Sequence, residues 1–277
     1  MSTDPRTLVR SWATPRRDGA RRGRNAPKWL LSLIVPVALL VLWQVVTERG
    51  VYSRSQLPAP LDVVAAGRQL AENDTLGLHL SASVGRVAWG FAYGALVAIP
   101  LALLVGLSRL ASTMLSPTIQ GLRAIPSLAW VPLLILWLGI DEAPKITLVA
   151  IGVFFPVYTN LVGGIGQIDR KLIEAGHAYG LRGFALAREV LLPASLPSLL
   201  TGLRLGLAQG WLFLVAAELI AASRGLGFLL VDGQNTGRAD IIVLSIVLLA
   251  LLGQATDWLV QRASRRWLRW ADVYGSR

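Results

Sequence analysis

The residues able to carry chemistry are few, and their types exclude most catalysis. No Cys is present, which removes thiol nucleophiles, zinc–thiolate sites, iron–sulfur clusters and disulfide scaffolds. The two histidines, His79 and His177, stand far apart with no ligand-like spacing around them, so no histidine metal centre is expected. No Gly-x-x-x-x-Gly-Lys-Ser/Thr, His-Glu-x-x-His or Gly-x-Ser-x-Gly occurs, so no phosphate-cradling loop, zinc-protease helix or hydrolase elbow is expected. Three features remain. One is a polar segment headed by Glu174, the second a set of charges inside apolar runs, and the third glycine recurring every four residues.

The first runs Asp169-Arg-Lys-Leu-Ile-Glu174-Ala-Gly176-His-Ala-Tyr-Gly180 and on to Val190-Leu-Leu192-Pro193. Leu172, Ile173 and Ala175, with Tyr179 a turn later, give a short helix an apolar contact face between charged flanks. Gly180 can end that helix with positive φ, and Pro193 can start the next where a missing N–H costs little. Glu174 can cap its own helix or pair with a basic group on a partner. An ordinary connector between two helices is the plainer reading, but a connector does not need this spacing.

The charges are Arg123, Arg204 and Glu218, which fall within apolar runs, where an ionisable group is by default a functional candidate. Arg123 either faces a path for an anion or anchors its helix at a membrane boundary. Arg204 is expected to snorkel or to pair. Glu218 is a candidate for the same path or for helix pairing, and it needs a cationic neighbour that the sequence does not name. Gly202, Gly206 and Gly210, and likewise Gly90 and Gly94, lie on single helical faces. They permit close helix approach, within one subunit or between two.

The elements that position these residues are apolar. Of 277 residues, 54% are hydrophobic and 16% charged, with a mean hydropathy of +0.55, against roughly 25% charged in a soluble domain. A hydrocarbon core about 30 Å thick needs roughly 20 apolar helical residues. Six runs qualify: 29–46, 84–107, 113–138, 146–165, 196–222 and 241–258. Prolines 100, 126, 132 and 156 fall inside them, which membrane helices tolerate. The expected organisation is an all-α membrane protein. It has a disordered basic arm over 1–28, a first transmembrane helix over 29–47 and an external loop over 48–82. A five-helix core follows over 83–262, with the polar loop at 167–193, and a basic tail covers 263–277. Residues 61–80 of the external loop fit a short helix resting near the outer leaflet, loosely. Arg16-Arg17 and Arg21-Arg22 lack the apolar stretch that a twin-arginine signal needs after them, and the first run is long for a signal-peptide core.

Lys and Arg accumulate on the cytoplasmic side. With both termini inside, 18 of the 27 fall on inside segments and seven (Arg49, Arg54, Arg68, Arg86, Lys145, Arg224, Arg238) outside. The net charge of +11 is therefore mainly a topology signal, and no nucleic-acid partner is needed to explain it.

Glu174-Ala-Gly176, three residues, Gly180, nine residues and Val190-x-Leu192-Pro193 together resemble the EAA loop of ABC importer permeases. That family pattern is E-A-A, three residues, G, nine residues, I-x-L-P. The chain departs from it at Gly176 for Ala and at Val190 for Ile. The resemblance extends over residues 80–270. Leu122-Arg-Ala-Ile-Pro126-Ser-Leu-Ala-Trp130, Gly210-Trp-Leu-Phe-Leu-Val-Ala-Ala-Glu218 and Gly225-Leu-Gly-Phe-Leu-Leu are similar to the subfamily importing sulfonates, taurine and nitrate. Asp232-Gly-Gln-Asn-Thr-Gly and Arg266-Trp-Leu-Arg-Trp270 look most like aliphatic-sulfonate permeases. The resemblance implies a six-helix type I importer (MetI-like) architecture in the bacterial plasma (inner) membrane. It also implies a second permease copy, two cytoplasmic ATPase subunits that hydrolyse ATP in place of this chain, an external solute-binding protein, and no cofactor. Residues 172–176, Gly180, Leu192 and Pro193 would form the ATPase-coupling loop. The rival within the class is the same machinery carrying taurine, nitrate or a vitamin precursor. A secondary transporter would call for proton-relay carboxylates near the midplane, and none is evident; a scaffold without a path accounts for neither the prolines nor the loop.

The charge bias makes a direct prediction. Single substitutions Ser2→Cys and Ser276→Cys should be shielded from impermeant thiol reagents in intact cells, while Ser55→Cys is labelled. Outside labelling of both termini reverses the orientation.

Overall fold

The computed structural model describes residues 28–267 except Val51 and Arg54, and they are helical with no strand among them. The expected basic arm falls outside the described residues up to position 27, and the tail from position 268. The helices are α1 (Lys28–Glu48), α2 (Pro60–Glu72), α3 (Thr75–Leu107), α4 (Arg109–Ala124), α5 (Trp130–Leu138), α6 (Glu142–Gly166), α7 (Arg170–Ala178), α8 (Gly183–Leu186), α9 (Leu192–Ala221), α10 (Leu226–Asn235) and α11 (Ala239–Trp267).

Among the described residues four helical stretches are long and apolar enough to cross a membrane: Thr75–Leu107, Glu142–Gly166, Gly183–Ile220 and Ala239–Arg266. The run expected at 113–138 is not one helix. It breaks into α4, a short 3₁₀ turn at Ser127–Ala129, and α5. Pro126 explains the break, since its ring disfavours helical geometry in the preceding residue, and Ile125 is extended at φ −70°, ψ 125°. Pro132 is the third residue of α5, where its missing N–H had no intrahelical partner to lose.

The second long helix starts at Thr75, earlier than the apolar run implies. The stretch 61–80 is two helices and not one: α2 ends at Glu72, Asp74 turns left-handed at φ 55°, and α3 follows. A left-handed residue resets the helical phase, which is why apolar spacing across 61–80 fits a single helix poorly. Pro60 sits at the start of α2, and the Ala59 N–H donates to Asp62 Oδ2 at 3.2 Å. Val63 and Ala66 are buried against Leu226, Leu229, Ile241 and Leu244 of α10 and α11. Helix α1 is apolar on all sides, with Ile34, Val35 and Leu39–Leu42 exposed, and is tied to the chain beyond it by Trp43 Nε1 donating to Pro58 O at 3.0 Å.

The core is organised around α6. Val149, Val153 and Val157, four residues apart, are fully buried, and glycines of two neighbours meet them, α3 running parallel to α6 and α9 antiparallel to it. A Cβ on Gly94 of α3 would lie 2.6 Å from Ala150 O and 2.8 Å from Val153 Cβ. On the other side, a Cβ on Gly206 of α9 would lie 3.1 Å from Val157 and 3.2 Å from Val153. Both glycine stripes are therefore used inside this chain, letting two helix backbones approach α6 closely.

Gly94→Ala should therefore destabilise by about 1–3 kcal/mol through overpacking against fixed backbone. Gly85→Ala, where a Cβ meets nothing within 4 Å, should be neutral or gain up to about 1 kcal/mol of helix propensity. Thermal unfolding of the two detergent-purified variants checks the contrast.

Candidate functional site

The Glu174 segment is the helix α7. Asp169, and not Glu174, caps it: its carboxylate accepts from Lys171 N at 2.9 Å. At the other end Gly180 has φ +78°, as expected. Leu181 N donates to Gly176 O at 3.0 Å, the six-to-one bond of a Schellman ending. The two faces of the helix separate by phase. Ile173 packs against the main core and Gly176 is buried, so Ile173 leaves the outward face predicted for it. Leu172, Ala175 and Tyr179 point out, with Tyr179 87% and nearby Phe184 79% exposed. Glu174 is exposed on this side and has no hydrogen bond or ion pair among the described residues. Gly176 departs from the alanine of the family pattern for a packing reason: a Cβ there would lie 2.7 Å from Leu186 Cδ1 and 3.1 Å from Val190 Cγ2.

Pro193 does not begin a separate helix. A π turn at Ala187–Leu191 joins α8 to α9, giving one helical stretch over Gly183–Ile220. The wider turn lies just where the proline ring and missing N–H oppose ordinary α geometry. Leu192 is half-buried against the main core.

Arg123 occupies the last turn of α4, two residues before the extended Ile125. It borders a cavity of about 360 Å³ shared with Phe155, Thr159 and Asn160 of α6 and Gln209 and Phe213 of α9. Thr159 donates to Phe155 O and Asn160 to Pro156 O, each at 2.8 Å. Arg123 and Gln209 make no hydrogen bond or ion pair among the described residues, so a free guanidinium and a free amide line this space. Arg204 instead pairs with Asp257 of α11 through two contacts of 2.5 and 2.7 Å.

Glu218 is absent from that cavity wall. It is enclosed at the opposite end of the bundle from α7, and Arg86 is its cationic neighbour. Arg86 Nη1 donates to Glu218 Oε1 at 2.7 Å and to Arg224 O at 2.6 Å. Its Nε and Nη2 form a fork on Glu142 at 2.6 and 2.7 Å. The other Glu218 oxygen accepts from Gly227 N at 2.8 Å, and Ser83 Oγ reaches both oxygens. Ser83 also accepts from Leu226 N at 2.8 Å, and His79 Nδ1 from Gly225 N at 3.0 Å. The first N–H groups of α10 are thus satisfied by side chains of α3 and α9. Gly225 has φ +130°, and a Cβ on Gly227 would lie 2.6 Å from Glu218 Cβ, so the turn needs both glycines.

The charge count had placed Arg86 among outside residues, yet it is a buried residue of α3, 2% exposed. The available signal was spacing: His79, Ser83 and Arg86 fall four and three residues apart, one polar face on an apolar helix.

Among the described residues, then, a polar cavity lies beside a broken helix in a bundle with four helices long and apolar enough to cross a membrane. The chain belongs to the family of binding-protein-dependent transport system inner membrane components, which matches residues 94–269. It is 42% identical over 250 residues to the putative aliphatic sulfonates transport permease protein SsuC of Escherichia coli K12, covering 89% of this chain and 95% of that protein. It is 34% identical over 245 residues to the taurine transport system permease protein TauC of the same organism, covering 87% and 89%. A chain of the inward-facing MetNI methionine ABC transporter shares the fold, with a TM-score of 0.60 and 23% identity over 70% of this chain and 95% of that one.

Removing one member of a buried ion pair costs about 3–5 kcal/mol. Arg86→Met, which leaves Glu218 enclosed without its cationic partner, should therefore lower the thermal midpoint clearly. Arg86→Lys, lacking the fork that meets two carboxylates, should fall between the two. Unfolding of the detergent-purified variants reads the order.

Proposed function

We propose that this chain is the permease subunit of an ATP-driven importer that moves aliphatic sulfonates or related small organic anions inward across the bacterial inner membrane. Two copies would work with two cytoplasmic ATPase subunits and an external solute-binding protein, with ATP hydrolysed on the separate ATPase. The six spans of this reading are α1, α3, the α4–α5 pair, α6, α9 and α11, with both termini cytoplasmic. The relatives' cargoes support the anionic class, and the free guanidinium of Arg123 facing a cavity agrees with it. Taurine and nitrate are the neighbouring cargoes that the same machinery would suit. Glu218, held by Arg86, is assigned a structural part at the outer end in place of a part in the path.

The observation that carries the reading is α7. A helix of nine residues, fixed at both ends and anchored by Ile173, presents Leu172, Glu174, Ala175 and Tyr179 to the outside of the chain at the end where α3, α6 and α11 also finish. An apolar patch with one unpaired carboxylate suits a protein groove with a basic rim. The ATPase would seat there, and Leu192–Pro193 would carry its movement into α9.

At φ +78° any side chain is strained by about 1 kcal/mol or more. Gly180→Asp therefore displaces the end of α7, and Glu174→Lys reverses its charge. Each variant should insert normally yet lose ATPase association in co-purification, or hydrolyse ATP without uptake in proteoliposomes. Normal association and normal uptake in both would remove the coupling assignment.

A further inference from the structure

Beside the Arg123 cavity lies a second one of different chemistry. It has a volume of about 500 Å³, and its walls include Tyr93 and Val97 of α3, Ala150, Ile151 and Phe154 of α6, and Trp130 of α5. Both spaces border residues that flank the break between α4 and α5. Phe155 borders both, and the consecutive residues Leu122 and Arg123 each face one of them. One side therefore offers a free guanidinium, a free Gln209 amide and the Thr159 and Asn160 side chains. The other offers mainly aromatic and aliphatic carbon, with Thr147 the one aliphatic hydroxyl on its wall.

We propose that the two cavities form one bipartite cargo site, in which the Arg123 side receives the anionic head and the Tyr93–Ile151 side receives an alkyl chain. The inference rests on the anion-importer reading above and sharpens it to amphiphilic anions. A bare inorganic anion leaves the apolar half unused. A cargo with an ammonium at its far end would bring a charge into a space with no carboxylate on its wall. Burial of each methylene favours a longer chain by about fourfold, so the apolar half makes affinity rise with chain length until the cavity is full. An acyl chain of a membrane lipid is the rival occupant, but lipid does not require the adjoining cation.

The test uses the whole transporter in proteoliposomes, comparing uptake of ethanesulfonate and pentanesulfonate with the same binding protein throughout. Val97, 58% exposed, accepts a larger side chain without disturbing the core, so Val97→Trp narrows the apolar half from α3. Ala150→Leu narrows it from the adjoining α6 wall. Each should lower the pentane-to-ethane uptake ratio by roughly fourfold or more, the loss of at least one buried methylene. Arg123→Gln should depress both cargoes by a similar factor and leave the ratio within about twofold, the effect of removing a group that meets the head alone. An unmoved ratio in both narrowing variants, with wild-type uptake of both sulfonates intact, overturns the bipartite site while leaving the importer reading standing. Wild-type uptake of taurine or nitrate with no uptake of either sulfonate overturns the sulfonate reading and the bipartite site with it.

Discussion

A guanidinium taken out of water has to be met by charge and hydrogen bonds on every side, and Arg86 meets that requirement only by drawing distant pieces of chain together. Glu142 comes from the start of α6, Glu218 from the last turn of α9, and the Arg224 carbonyl from the turn before α10. Ser83, one turn earlier on α3, joins the same cluster and receives the Leu226 N–H. The relative heights of three long helices and the entry of a fourth are therefore set by one side chain. A hydrophobic contact in the same place would tolerate sliding; a shared set of short hydrogen bonds does not.

Deeper in the bundle the constraint changes from charge to distance. Between lipid-solvated helices there is little hydrophobic gain, so association depends on packing. The Val149–Val153–Val157 stripe of α6 supplies knobs that glycines of α3 and α9 admit from two sides. Where α4 and α5 separate, backbone regularity is lost, and it is there that the chain leaves room for Arg123 and for the two adjoining cavities. The rigid part and the open part thus share α6 as a common wall, with Val153 buried and Phe155 facing space.

Much of this was legible in the sequence where the cause is local. Gly180 has the positive φ that its place after a short amphipathic helix implies, and the glycine repeats mark close approach. The phase of α7 against the body was not legible, because Leu172 and Ile173 are equally apolar and only tertiary packing decides which turns inward. The pairing of Arg86 with Glu218 spans 132 residues, and a charge count by loop treats such an arginine as exposed. The break at Pro126 escaped a hydropathy reading for another reason. Averaging over a window registers composition but not the missing amide hydrogen or the ring clash, and Pro100 and Pro156 sit within unbroken helices.

The unbroken stretch from Gly183 to Ile220 carries a mechanical consequence. Its 38 residues make a rod about 57 Å long at roughly 1.5 Å per residue. One end adjoins the exposed α7 surface and the other carries Glu218. Pivoting such a rod by about 5° at its α7 end displaces its far end by about 5 Å, which exceeds the full length of any hydrogen bond that a protein side chain makes. The geometry is that of a long rod with its short, stiff polar contacts gathered at the tip, where a small angular displacement at the other end has its largest effect.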